Sequence, residues 1–158
     1  MTTINPSRRA FLRGRGLPAP RMPWAVADFV AVCKRCDDCI PVCETGILIR
    51  GDGGFPTVDF SRGGCSFCGA CADRCRDRAL ERRAGPAWSL RASIDQRCLS
   101  SQGISCRLCG DGCDQAAIRF RLQTGGRALP LVAADQCNGC GACVAVCPVQ
   151  AIQVSEAA

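Results

Sequence analysis

The chain has 158 residues, a formal net charge of +6, 16 cysteines, and neither histidine nor tyrosine. That length suits one domain or two small ones. The missing histidine excludes imidazole-ligated haem or zinc and every Ser-His or Cys-His catalytic pair. Only 6 Phe and 2 Trp are present, so a core built on large aromatics is also excluded, and no apolar run reaches the roughly 18–20 residues of a membrane span.

Residues 1–23 read as a flexible basic arm. Arg8, Arg9, Arg13, Arg15 and Arg21 all precede the first acidic residue, Asp28, and leave the remainder nearly neutral. A basic chain can bind nucleic acid, but no basic stripe or aromatic platform follows, so nucleic acid is not expected as a partner. Ser7-Arg8-Arg9-Ala10-Phe11-Leu12-Arg13 has the form of a twin-arginine export motif. The stretch after it carries Pro18, Pro20 and Pro23 together with Arg15 and Arg21, and it cannot form the apolar helix of an export signal. The motif is therefore expected not to export. Gly14-x-Gly16-x-x-Ala19 is no dinucleotide loop either, because no strand precedes it and Pro18 stands where a helix should begin.

Cysteine groups follow in order. They are Cys33, Cys36, Cys39 and Cys43; Cys65, Cys68, Cys71 and Cys75; Cys98, Cys106, Cys109 and Cys113; and Cys137, Cys140, Cys143 and Cys147. Groups one, two and four read C-x2-C-x2-C-x3-C, and group three has a longer first spacing, over residues 99–105. No cysteine is left over. Each fourth cysteine is followed by three residues and then a short run: ILIR from Ile47, ALER from Ala79, AIRF from Ala117 and AIQV from Ala151. These alternating runs predict short strands. Turn chemistry at Gly51-Asp52-Gly53-Gly54, Ala84-Gly85-Pro86 and Thr124-Gly125-Gly126 predicts connecting hairpins. The chain is thus an internal repeat of a cysteine loop, a helical turn and a strand.

The spacing carries a specific chemistry. Three thiolates in C-x2-C-x2-C wrap one small inorganic core, and the fourth points away to cap a neighbouring [4Fe-4S] cluster. Small residues inside the loops, Gly69-Ala70 and Gly139 with Gly141-Ala142, let backbone N–H groups approach the sulfides. Disulfides fit poorly, because x2 spacing makes a cage rather than a framework and no secretory segment is visible. Zinc fits poorly because the full run is not a zinc spacing. Group three departs most; its long first spacing is read as a looped-out four-iron site, with a labile or three-iron site as the alternative.

These motifs resemble those of bacterial ferredoxins over residues 30–155. The resemblance implies an α+β fold of two small, cluster-stabilised dicluster modules in tandem, residues 24–85 and 86–158, holding four [4Fe-4S] clusters. Sequential exchange of fourth ligands would give the sets Cys33, Cys36, Cys39 with Cys75; Cys65, Cys68, Cys71 with Cys43; Cys98, Cys106, Cys109 with Cys147; and Cys137, Cys140, Cys143 with Cys113. Nested exchange, group one with four and two with three, stays open, and short connections favour the sequential form. Only Cys147 precedes a proline, Pro148; Glu44, Arg76 and Asp114 take that place elsewhere. Looser loops and oxygen-labile clusters are expected from this departure. The arginines at 74, 76, 78, 82 and 83 read first as compensation for a nearby cluster and second as a docking patch for an acidic partner.

The SRRxFL start, Arg21-Met22-Pro23-Trp24 and four cysteine groups together resemble the NapF family, ferredoxin-type proteins of periplasmic nitrate reductase systems. That resemblance implies a cytoplasmic accessory protein, not an enzyme, without a small-molecule substrate. Its implied partner is the catalytic subunit, NapA, met before export and assisted in maturation by electron transfer or cluster assembly. A general polyferredoxin subunit of an oxidoreductase complex is the second reading, and a non-redox scaffold folded by its clusters is the third.

Overall fold

A computed structural model describes residues 22–83 and 85–156. The twin-arginine-like motif at Ser7–Arg13 lies outside the described residues, as does nearly all of the arm. Met22 and Pro23, on the arm side of the expected boundary, are buried, Met22 in the first of two small apolar clusters.

The elements are short. Helix α1 is Phe29–Val32, β1 is Leu48–Arg50, β2 is Pro56–Val58, and α2 is Ala70–Arg74. Then come β3 (Leu90–Ile94), α3 (Leu108–Asp111), β4 (Ile118–Leu122), β5 (Ala128–Val132), α4 (Ala142–Ala145) and β6 (Ile152–Glu156). Every sheet is an antiparallel pair: β1 with β2, β4 with β5, and β3 with β6. The glycine turns at residues 51–54 and 124–126 close the two inner hairpins, with Gly53, Gly54 and Gly125 in the left-handed region such turns require. Helices α2, α3 and α4 each carry the third cysteine of groups two, three and four.

Three of the four predicted strands form. The ALER run does not: Leu80 makes only an isolated bridge to Ala25, flanked by Val26 N–H to Ala79 O at 3.1 Å and Glu81 N–H to Trp24 O at 2.9 Å. Its next residues, Glu81, Arg82 and Arg83, are charged and solvated, and Pro86 follows, so the pairing stops there. The turn at Gly85-Pro86 accordingly closes no hairpin. It leads to β3, which crosses to the last strand, β6.

The repeat extends to the backbone. Gly46, Arg78, Ala116 and Gln150, each three residues after a fourth cysteine, all have positive φ, at 65°, 54°, 48° and 50°. The N–H of each returns to the carbonyl of that cysteine, at 3.0, 3.2, 2.8 and 3.2 Å respectively. This tight turn delivers the next residue inward: Ile47, Ala79, Ala117 and Ala151 are at most 1% exposed. Their carbonyls then accept hydrogen bonds in a reciprocal pattern. Ile47 pairs with Asp59 before group two (2.7 Å), and Ala79 with Val26 before group one (3.1 Å). Ala117 pairs with Ala133 before group four (2.8 Å), and Ala151 with Asp95 before group three (2.9 Å). The chain leaving one group is thus stitched to the chain entering its sequence neighbour, in both directions.

An aromatic trio, absent from any expectation based on composition, sits between the two ends of the molecule. Phe60 and Phe67 meet the Trp88 ring edge-on at 5.8 and 5.7 Å, and Trp88 Nε1–H donates to Asn138 O at 3.0 Å.

Candidate metal centre

The loops turn their sulfurs inward by the same local device. The first residue after the second cysteine is left-handed in groups one, two and four: Asp37 at 63°, Gly69 at 84° and Gly141 at 83°. In groups two and four the glycine opens a short helix that buries Cys71 and Cys143. Third cysteines are buried in every group, whereas Cys36 and Cys68 face solvent. Group three differs. Arg107, at the equivalent place, has φ −134°. Of its extra residues, the buried Ser100 donates its hydroxyl to Ala128 O in β5 and Ile104 N–H reaches Leu99 O at 2.9 Å, while residues 102–105 stay exposed. Cys98 is buried.

Burial dominates the electrostatics of the inner thiols, and neighbouring sulfurs add to it. Burial chiefly pushes the Cys39 thiol up to about 12, with Cys71, Cys33 and Cys36 adding to the rise. Burial likewise takes Cys71 to about 11, reinforced by Cys65, Cys68 and Cys43. For Cys109, about 11, burial is followed by Cys98, Cys106 and Cys147. For Cys143, about 12, burial is followed by Cys140, Cys137, Cys109 and Cys113. Cys43 thus bears on Cys71, Cys147 on Cys109 and Cys113 on Cys143, a fourth cysteine acting on a third cysteine of another group in each case. One cleft has Cys113, Cys137, Cys140 and Cys143 together in its wall, beside Gly112, Gly139 and Gly141.

Two of the residues that stand in place of proline contact another cysteine loop. Ser66 Oγ, in the second loop, donates to Glu44 Oε1 at 2.6 Å. Arg76 Nε lies 3.9 Å from Asp38 Oδ2, in the first loop. The charge of Asp114 bears on Cys140, in the fourth loop. Glu44 and Arg76 thus each link the chain just after a fourth cysteine to the loop of the other group. The sequence signal was the polar residue in a proline place, which reads there only as a departure. The arginines after group two are mostly compensated: Arg82 faces Asp73 at 3.4 Å and lies over Trp24, and Arg83 faces Glu81 at 2.6 Å.

Hydrogen bonds to sulfur complete the environment. Phe67 N–H points to Cys65 Sγ at 3.4 Å and Ala151 N–H to Cys147 Sγ at 3.3 Å. Thr45 Oγ1 lies 3.5 Å from Cys43 Sγ. Burial pushes the Cys43 thiol up, but the Thr45 hydroxyl and the backbone around Leu48 outweigh it and leave it below its ordinary value.

These surroundings fit an iron–sulfur core better than a single ion. Among the described residues, no three His, Cys, Asp or Glu side chains gather closely enough to hold one metal ion. Zinc bonds of about 2.3 Å would need sulfurs roughly 3.8 Å apart. Thiol-only donor sets, with the third cysteine of each group buried and N–H groups aimed at Cys65 and Cys147, suit a larger inorganic core. No helix among the described residues is long and apolar enough to cross a membrane.

Comparison with known proteins agrees with this chemistry. Residues 103–156 match the 4Fe-4S dicluster domain family. The ferredoxin-type protein NapF of Escherichia coli K12 is 45% identical over 154 residues, covering 94% of each chain. That of Haemophilus influenzae is 47% identical over 171 residues, covering 99% of this chain and 97% of its own. The ferredoxin-type protein NapG of Escherichia coli K12 is 31% identical, over 82% of this chain and 66% of its own. Cysteine quartets, loop geometry and near full-length similarity lead to one conclusion: the chain is a [4Fe-4S] protein and belongs to the NapF family of ferredoxin-type proteins.

Proposed function

We propose that the chain is a cytoplasmic four-cluster accessory protein of periplasmic nitrate reductase. It meets the catalytic subunit NapA before export and assists its maturation through one-electron transfer or cluster assembly. Family membership supports the nitrate reductase setting, and the arrangement of the site supports the electron-transfer role. Thiol-only quartets leave no coordination place for a substrate, and bound [4Fe-4S] clusters supply single-electron chemistry.

The observation that carries the site reading is the reciprocal stitching at Ile47, Ala79, Ala117 and Ala151. It supports two tandem dicluster modules, residues 24–85 and 86–158, behind a basic arm. It also supports the sequential ligand sets: Cys33, Cys36, Cys39 and Cys75; Cys65, Cys68, Cys71 and Cys43; Cys98, Cys106, Cys109 and Cys147; Cys137, Cys140, Cys143 and Cys113. The chain's part is to bury the third sulfur of each group, aim N–H groups at Cys65 and Cys147 and tie the first two loops together.

Anaerobic co-purification tests the role. NapA retained in the cytoplasm should be captured by the full chain and not by a chain lacking residues 1–21. Fast reduction of the clusters by a dehydrogenase, with no capture of NapA, would instead establish a general electron-carrier subunit.

A further inference from the structure

The two halves meet at their cysteine loops. Cys65 N–H donates to Cys140 O at 2.8 Å, joining the first cysteine of group two to the second of group four. Two glycines make the approach feasible. A Cβ on Gly64 would lie 2.9 Å from Ala142 Cβ and 3.0 Å from its backbone, and one on Gly141 only 2.1 Å from the Phe60 ring. Trp88 clamps the seam, packed on Phe60 and Phe67 and bonded to Asn138, inside the fourth loop.

We infer that this seam is the passage for electrons between the halves, so that the four sites are wired in the order one, two, four, three rather than in sequence order. The inference rests on the ligand sets proposed above. Chain order alone would place group two next to group three. The fold instead abuts groups two and four, which leaves groups one and three as the ends of one conduit. Each passage moves one electron and no atom: a one-electron donor of the viologen-radical class is oxidised at one end, and a one-electron acceptor is reduced at the other. Because electron hopping weakens steeply with distance, the hydrogen-bonded Cys65–Cys140 contact is the favoured crossing.

Pulsed EPR on the anaerobic, dithionite-reduced full chain tests this. The double variant Cys36→Ala/Cys106→Ala should keep the sites of groups two and four and show spin–spin interaction between them. Cys68→Ala/Cys140→Ala should keep those of groups one and three and show isolated centres. The reverse outcome overturns the order. Should either variant fail to load, amide exchange on the loaded wild-type chain decides: Cys65 N–H should be strongly protected, and exchange as fast as that of the exposed Gly125 turn would overturn the seam. Failure of the ligand sets would show separately, because Cys43→Ala and Cys68→Ala would then abolish different signals instead of the same one.

Discussion

Thr45 is the side chain whose effect on one site can be isolated most cleanly. A cysteine ligated to iron is a thiolate and can only accept, so the Thr45 hydroxyl donates to Cys43 Sγ. Donation to a ligand sulfur stabilises the reduced, more negative state and raises the potential. Thr45→Val should therefore move one reduction step of an EPR-monitored titration to lower potential, leaving the other steps and the iron content unchanged. The buried thiols predict a pH effect as well. Cys39, Cys65, Cys71, Cys109 and Cys143 titrate, when unligated in the fold, near 11 to 12, above the ordinary 9.0, with burial the main cause. A raised folded-state value stabilises the neutral-thiol form below 9.0, and that stabilisation is lost as pH rises towards 12. Iron replaces these protons, so loading releases them and is favoured by higher pH. Loss of iron to a chelator should accordingly quicken as pH falls from about 9 to about 6, which the decay of visible absorbance measures.

At the scale of elements, the left-handed turn after each fourth cysteine unifies the structure. Only Gly46 announces it in sequence; Arg78, Ala116 and Gln150 hold the same conformation with side chains that disfavour it. Their positive φ is enforced by the return bond to the cysteine and by burial of the next residue. A Cβ at Gly46 would meet nothing within 4 Å. Gly46→Ala should thus cost only conformational energy, about 1 kcal/mol after the gain in chain stiffness. The check is a lower denaturant midpoint for bleaching with unchanged iron content. Strands were legible where apolar alternation continued, as in AIRF and AIQV. ALER failed because its polar half has no partner strand long enough to hold it. The partners β2, β3 and β5 carry weak signals of their own, and in β5 Pro130 interrupts the pattern opposite Phe120.

At the scale of the molecule, little apolar mass is available. The largest fully buried side chains are Ile47, Leu90 and Pro23, and the two apolar clusters are small. Surface pairs such as Arg76–Asp38 and Arg62–Asp59 are exposed and contribute about 0–1 kcal/mol each. Cluster binding is therefore the main source of folding energy. Stripping iron with an oxidant and a chelator should abolish the β-sheet circular dichroism together with the visible absorbance. A stripped chain that keeps its sheet signal would show that the apolar clusters suffice.

The sequence determined the chemistry: sixteen cysteines in four spaced quartets, with no histidine, specify [4Fe-4S] binding and a repeated loop-turn-strand unit, because ligand geometry is local and spacing records it. Tertiary structure decided the rest. Which turn is stitched to which entering segment, what Glu44 and Arg76 contact, and where the second and fourth cysteine loops touch all depend on residues far apart in the chain. The close approach of those loops needs the absence of a Cβ at Gly64 and Gly141, which leaves no periodic mark along the sequence.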